Sequence, residues 1–189
     1  LNFYHKKNYD LVRLGMAKRN MEKVEPTVRD ADSVYFNLSA LKQMEAAGLW
    51  QNSPNGFSSE EACQLCHYAG MSDKLSSIGF YGYYPKKDRD DQTAQLIAHM
   101  IWYFLDGIYH RKRDFPATNE GMLEYIVTFK DYDLDATFWK SPKSGRWWLQ
   151  MDSEVKGKHE LIPCSYEDYK RACHDELTER VLTILGRYI

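Results

Sequence analysis

The chain is poor in cysteine and contains no long apolar run. Only four of its 189 residues are cysteine, too few for the disulfide framework of a small secreted domain. The longest apolar candidate, residues 96–105, is interrupted by His99 and is far shorter than the about 18 residues of a membrane span. No signal-like apolar segment is found directly after Leu1. We therefore expect a cytoplasmic protein without a membrane span, and we interpret the start at Leu1 as that of a fragment.

The chain also lacks an excess of charge of either sign. Its 25 basic and 27 acidic residues give a formal net charge of -2, which provides no broad positive field for a phosphate backbone. We therefore expect no nucleic-acid binding. Hydrophobic residues make up 43% and aromatic residues 14% of the chain, a composition that indicates a folded globular protein.

Apolar periodicity divides the chain into two regions of different character. The first alternates strand and helix patterns, at 33–41, 58–69, 75–84 and 91–106, which is the order of a parallel α/β layer. The second contains several short strand patterns, a hairpin turn at 141–145, and a helix from Ser165 to about Leu185. We expect an α/β domain over residues 1–111. A small α+β appendage, rich in hairpins and closed by a helix, is expected over residues 112–189.

Capping residues define the ends of the two helices predicted in the first region. Ser58 and Glu61 have the spacing of a capping box. Asp91 is suited to cap the start of the second helix. Gly70 and Gly107 are the predicted C-terminal stops of the two helices.

The first of these helices carries a Cys-x-x-Cys-His pattern. Cys63, Cys66 and His67 match the motif that attaches haem in c-type cytochromes. The same spacing places the three side chains on one face of a helix, and free cysteine is among the most buried residue types. Haem attachment also needs export and room for a porphyrin. We favour a helix packed on a sheet, and whether the three residues bind anything stays open.

Two further groups lie in the second region. Cys164, Cys173 and His174 do not have the spacing of a zinc module. Trp139, Trp147 and Trp148 flank the predicted hairpin turn, and we expect them to form a core or a protein interface.

Three segments of the first region fall into one ungapped register of known motifs. They read YFNLSALKQ, NGFS and YGYYP. In this order they resemble the C-terminal half of the arginase, agmatinase and formimidoylglutamase (ureohydrolase) family, whose segments read Ser-Phe-Asp-x-Asp-x-x-Asp-Pro, Gly-Gly-Leu-Thr and Glu-Val-Asn-Pro. The resemblance implies an α/β fold, the C-terminal portion of a parallel-sheet, three-layer arginase/deacetylase-like core.

Compared residue by residue, the resemblance implies that the metal site is lost. The family's two metal-binding aspartates correspond to Asn37 and Ser39, and its substrate-contacting glutamate corresponds to Gly82. Its third aspartate and the following proline correspond to Lys42 and Gln43. Hard divalent cations require anionic oxygens, which an amide, a hydroxyl and an ammonium do not supply. We therefore assign no catalytic residue and no metal ligand.

An acidic pair elsewhere has the Asp-x-Asp spacing of the family motif. Asp30 and Asp32 precede the strand that Asn37 ends, whereas ligands of open α/β sheets gather at the carboxyl ends of strands. Seven residues at ~3.3 Å each place Asp30 roughly 20 Å from that end. We interpret the pair as an exposed acidic turn.

Two hypotheses about function follow. The first is a ureohydrolase-like pseudoenzyme with no cofactor and with a structural or interaction role, either with protein partners or in a homo-oligomer. The second is a hydrolase of linear amidines, of the arginase, agmatinase or formimidoylglutamase type, which holds Mn²⁺ with ligands upstream of the fragment. The missing carboxylates at Asn37, Ser39 and Gly82 favour the first hypothesis.

Overall fold

The chain divides into two compact units. The structure is a computed structural model that describes residues 9–115, 119–129, 134–152 and 159–188. One unit is Val12–Arg113, which we call the α/β unit. The other, which we call the β-rich unit, holds the described residues before Val12 and after Arg113. Within the described ranges, no helix is both long enough and apolar enough to cross a membrane.

The α/β unit is built on two parallel strands joined by a helix. Its elements are α1 Leu14–Arg19, α2 Glu25–Arg29, β1 Ser33–Asn37, α3 Ser59–Met71, β2 Ser77–Tyr81 and α4 Gln92–Tyr109. Ser33 lies opposite Ser77, and Asn37 lies opposite Tyr81. Parallel strands require a crossover connection, which α3 provides. The predicted parallel α/β order is confirmed.

One face of this two-stranded sheet packs against α3 and α4. Phe36 of β1 belongs to the same buried cluster as Leu96 and Met100 of α4. Successive side chains of a strand point to opposite faces, so the face that carries Phe36 is the one packed against the helices. On the opposite face, the rings of Tyr35 and Tyr81 are exposed and their centroids lie 5.7 Å apart. The described residues of this unit therefore cover one face of the sheet and leave the other face open.

The predicted capping box of α3 is confirmed. The Glu61 N–H donates to Ser58 Oγ (3.3 Å), and the Ser58 N–H donates to Glu61 Oε2 (2.8 Å). Lys18 of α1 also donates to Glu61 Oε2, at 2.5 Å. Partial burial acts to raise the pKa of Glu61, but the Lys18 ammonium and the Ser58 N–H outweigh it and hold the pKa below its ordinary value.

The predicted stops at Gly70 and Gly107 are wrong. The helices continue to Met71 and Tyr109. A Cβ atom built on Gly70 would lie 2.1 Å from the carbonyl oxygen of Phe104, and one on Gly107 would lie 2.4 Å from the carbonyl oxygen of His67. The two glycines therefore allow α3 and α4 to approach backbone to backbone, which any side chain would prevent.

The predicted cap of α4 is also wrong. Asp91 adopts the left-handed conformation (φ 55°), and its side chain makes no capping hydrogen bond. Instead, Asp88 accepts hydrogen bonds from the backbone N–H groups of Thr93 (2.9 Å) and Ala94 (3.0 Å). Burial acts to raise the pKa of Asp88, but these donors outweigh it and hold the pKa below its ordinary value.

The β-rich unit contains an antiparallel sheet of four strands in sequential order. Its elements are β3 Leu123–Phe129, β4 Leu134–Lys140, β5 Trp147–Asp152, β6 His159–Cys164, α5 Tyr166–Ala172 and α6 Glu179–Tyr188. The hairpin predicted at 141–145 joins β4 to β5 and is confirmed. Arg180 of α6 pairs with Asp10, with 2.5 Å between Nη1 and Oδ2.

The single final helix predicted from Ser165 is wrong, because the chain forms two helices there. Asp168 is buried and closes a capping box with Ser165 at the start of α5. Its other carboxylate oxygen accepts a hydrogen bond from the Thr178 hydroxyl (2.5 Å). Thr178 Oγ1 accepts in turn from the Val181 N–H (3.3 Å) at the start of α6, so one buried carboxylate connects the starts of both helices.

Candidate functional site

The carboxyl ends of β1 and β2 bring together the three positions that the sequence singled out. Asn37 is the last residue of β1, and Gly82 directly follows β2. A Cβ atom on Gly82 would lie 3.2 Å from Asn37 Oδ1 and 3.8 Å from Ser39 Oγ. This is the rim where open parallel sheets bind their ligands. The groups present are an amide, a hydroxyl and a glycine.

Two oxygens of this rim accept hydrogen bonds from backbone N–H groups. Asn37 Oδ1 accepts a hydrogen bond from the Ser39 N–H at 3.0 Å, and the Gly82 carbonyl accepts one from the Trp50 N–H at 3.1 Å. Gly82 has a φ of 87°, a conformation that L residues adopt only with strain. A glutamate at this position would therefore have to distort the backbone.

The chain after β1 turns back along the loop that precedes α3. The Lys42 N–H donates to the Phe57 carbonyl (3.0 Å), and the Gln43 N–H donates to the Ser53 carbonyl (2.8 Å). A Cβ atom on Gly56 would lie 2.5 Å from the carbonyl oxygen of Ala40. Glycine is therefore required at position 56 for the two segments to lie this close.

Three carboxylates accept hydrogen bonds at the N-termini of α3 and α4. Glu61 and Asp88 cap their helices, as described above. Glu45 Oε2 accepts hydrogen bonds from both the hydroxyl (2.5 Å) and the N–H (3.2 Å) of Ser59. No sequence signal marked Glu45, because its partner lies 14 residues away. In the parts of the chain that are described, no three His, Cys, Asp or Glu side chains are placed to hold a metal ion.

The acidic pair lies at the other end of the strand. Lys74 Nζ lies 3.2 Å from Asp30 Oδ1 and 3.9 Å from Asp32 Oδ1, and both aspartates precede Ser33, where β1 begins. The side chain of Asp32 is 83% exposed but that of Asp30 only 25%. The turn is therefore an ion-paired one rather than the freely exposed one that we expected for both residues.

The Cys-x-x-Cys-His pattern lies on the buried face of α3. Cys63 and Cys66 belong to the core cluster, which confirms the packed-helix interpretation. Burial, together with the neighbouring Cys63, raises the pKa of Cys66 to about 12. Burial and the charge of Glu60 also raise the pKa of Cys63. Since the thiolate is the form that binds metals and attacks electrophiles, neither thiol is prepared for such chemistry at neutral pH.

This arrangement predicts that one thiol in four reacts in the native protein. Cys173 is exposed, whereas Cys63, Cys66 and Cys164 are buried. We expect Ellman's reagent to modify one cysteine per chain rapidly under native conditions and all four after unfolding. In the Cys173→Ser variant the rapid phase should disappear. A second rapid thiol in that variant would show that local unfolding readily exposes a buried cysteine of α3 or of β6.

Comparisons with known proteins identify the fold. No protein-family model matches the chain, and no curated protein matches it. A formiminoglutamase structure from Trypanosoma cruzi, with Mn²⁺, is 17% identical over 58% of this chain and 40% of that one, with a TM-score of 0.52. The Bacillus subtilis formimidoylglutamase is 20% identical over 58% and 37%, with a TM-score of 0.52. The Bacillus caldovelox arginase is 16% identical over 55% and 37%, with a TM-score of 0.50.

These similarities establish the fold and no more. The part of each known structure that is matched is about two fifths of its length. The expected relationship to the arginase/ureohydrolase fold is confirmed, and the chain has a mixed α/β fold of that kind.

Proposed function

We propose that this chain is an arginase-like domain whose metal site is degenerate and which has a structural or interaction role instead of a catalytic one. The observation that carries the proposal is the meeting of Asn37, Ser39 and Gly82 at the carboxyl rim of the parallel strands. A site for a pair of divalent cations needs several carboxylates. The rim positions that correspond to the family's ligands offer only neutral oxygens.

The surrounding contacts support loss of the site rather than a simple exchange of ligands. The Asn37 amide oxygen is held by the Ser39 N–H, and the carboxylates of Glu45 and Asp88 bind helix N-termini. Both carboxylates already serve as acceptors at helix starts, a role that needs no metal, and this supports the proposal.

The proposal also covers location and partners. We propose a cytoplasmic location, which the free thiols of Cys63 and Cys66 support, because reducing compartments keep cysteines out of disulfides. A domain retained without catalysis would act through contacts with other chains or with its own copies. No resident cofactor is part of the proposal.

Metal analysis of the purified protein tests this function. After incubation with excess Mn²⁺ and dialysis, we expect substoichiometric manganese and no hydrolysis of arginine, agmatine or formimidoylglutamate, because the rim has no anionic ligand. Stoichiometric manganese together with turnover would overturn the proposal in favour of the hydrolase hypothesis.

Two variants of the same positions make the test specific. Asn37→Asp/Ser39→Asp adds two carboxylates at the rim and should raise the affinity for Mn²⁺ by about 10-fold or more. Asn37→Ala/Ser39→Ala removes the side-chain oxygens and should leave manganese content unchanged. If the alanine variant instead loses metal that the natural chain holds, the rim is a working site and the proposal fails.

A further inference from the structure

The helix α4 carries an apolar stripe on the side that faces away from α3. This outer stripe consists of Ala98, Ile101, Trp102, Leu105, Ile108 and Tyr109. The spacing of three and four residues places them on one face of the helix. Trp102 is 60%, Leu105 56% and Tyr109 86% exposed, whereas Leu96 and Met100 on the opposite side are buried. Large side chains of this kind are normally covered by another surface.

The outer stripe contains no charge. Asp106 is the one Asp, Glu, Lys or Arg residue in α4. It lies off the stripe, with Oδ2 3.1 Å from His67 Nδ1 of α3. Arg111, just after the helix, donates to the carbonyls of Gly70 (2.8 Å) and Leu75 (3.1 Å). The usual cost of burying a polar helix face is that a charged group loses its partner. Covering the outer stripe would not incur this cost.

The area of the outer stripe is sufficient for a specific interface. At 60% and 86% exposure, Trp102 and Tyr109 alone present roughly 300 Å² per copy, because an aromatic side chain offers about 150–250 Å². With the aliphatic residues included, two copies joined through the stripe would bury on the order of 1,000 Å², the size at which specific interfaces begin. Trp and Tyr are also the residue types that dominate binding energy at interface centres.

We propose that the outer stripe is the contact of a homodimer in which the α4 helices of two copies pair antiparallel. A twofold axis between Trp102 and Leu105 places Trp102 opposite Leu105 of the partner copy. It also places Ala98, the smallest residue of the stripe, opposite Tyr109 of the partner copy, the most exposed one. Two helices pack closely when small residues of one helix face large residues of the other.

A second copy fits this surface better than a membrane does. A neutral surface has no repulsion with itself, and a twofold contact uses the same patch on both partners. Helices that lie on membranes carry a face rich in Lys and Arg, whereas α4 contains neither residue. The inference goes beyond the proposed function, because pairing through α4 does not depend on the state of the rim, and a metal-binding chain could dimerise equally well.

Sedimentation equilibrium at about 1–100 µM tests the dimer. We expect a mass of twice the 22.2 kDa chain. Trp102→Glu and Leu105→Glu should each raise the dissociation constant by about 30-fold or more, because two charges would be buried at the centre of the contact. Both side chains are more than half exposed, so circular dichroism should show an unchanged fold.

Matched variants place the same charge elsewhere. Trp50 is 66% and Ile126 62% exposed, and Trp50→Glu and Ile126→Glu should leave the dissociation constant unchanged. A dimer that resists both stripe variants, or a monomer at every concentration, would overturn the proposal. A monomer that sediments with phosphatidylcholine/phosphatidylserine vesicles through Trp102 would also overturn it and identify a membrane as the occupant.

Cross-linking tests the antiparallel register. In a Cys173→Ser background, the double variant Ala98→Cys/Tyr109→Cys should give a covalent dimer with a short bismaleimide, because each new thiol faces the other across the twofold axis. Within one chain the two positions are separated by about 16 Å along the helix, beyond the reach of such a reagent. Modified thiols without a covalent dimer, in a sample that sediments as a dimer, would contradict this register.

Discussion

Replacing Gly70 with alanine is expected to lower the free energy of unfolding by about 3 kcal/mol or more. The new Cβ atom would lie 2.1 Å from the carbonyl oxygen of Phe104 and 3.0 Å from the Cα atom of Gly107. Both contacts are with backbone atoms, so no side-chain rotation can relieve them. The two helices would have to move apart, and the buried contacts of Cys66 and Met100 would loosen with them.

A matched glycine provides the control for this prediction. Gly15 lies in α1, and a Cβ atom there would meet no heavy atom within 4 Å. Gly15→Ala should therefore stabilise the protein by about 0.5–1 kcal/mol, through the loss of backbone freedom in the unfolded chain. Urea denaturation of the two variants measures both effects. If Gly70→Ala unfolds at the same urea concentration as the natural protein, the close approach of α3 and α4 is incorrect.

The elements predicted correctly from the sequence are those whose signals are local. Ser58 and Glu61 are three residues apart, and the cap that they form needs nothing from the rest of the chain. The alternation at 33–41 needs only the two-residue period of a strand, and β1 occupies its first five residues, whereas the predicted continuation to Leu41 is wrong. The order of strand and helix then restricts the topology to a parallel pair.

The glycines show why other features could not be predicted. A glycine near the end of a helical pattern has the same appearance whether it ends the helix or admits a neighbouring backbone. Gly70 does the latter, and the reason is the carbonyl of Phe104 on a different helix. The cap of α4 was equally ambiguous, because Asp88, Asp90 and Asp91 are all suitable in type. Asp90 and Asp91 both adopt the left-handed backbone conformation, and Asp88 accepts the capping hydrogen bond instead.

The rim was predictable in part. Asn37 ends β1 and Gly82 follows β2, and the carboxyl ends of parallel strands meet at one edge. The strand order together with the ungapped register is therefore enough to predict that these positions lie close to each other. The role of Glu45 in binding the N-terminus of α3 was not predictable, because it depends on the path of a loop that returns to Ser59.

The core of the β-rich unit predicts the second large effect, at Trp147. Its ring stacks on Tyr169 of α5, with centroids 4.5 Å apart and planes 18° from parallel. The ring of Tyr125 on β3 lies 5.0 Å away, and Trp147 itself is only 5% exposed. One side chain therefore joins the sheet to its covering helix. We expect Trp147→Ala to cost about 3–5 kcal/mol, because the substitution would leave a cavity in the core and remove the ring that contacts both Tyr169 and Tyr125.

Two variants separate the stacking contact from a general effect of losing tryptophan. Trp147→Phe keeps an aromatic ring against Tyr169 and should cost less than half as much as Trp147→Ala. Trp50 is 66% exposed, and Trp50→Ala should change stability by no more than about 0.5 kcal/mol. Hydrogen exchange of peptides from 123–129 and 147–152 locates the loss. Equal costs for Trp147→Ala and Trp50→Ala would mean that the sheet and α5 are held together by the other contacts of the cluster, such as that of Phe138 with Tyr169, instead.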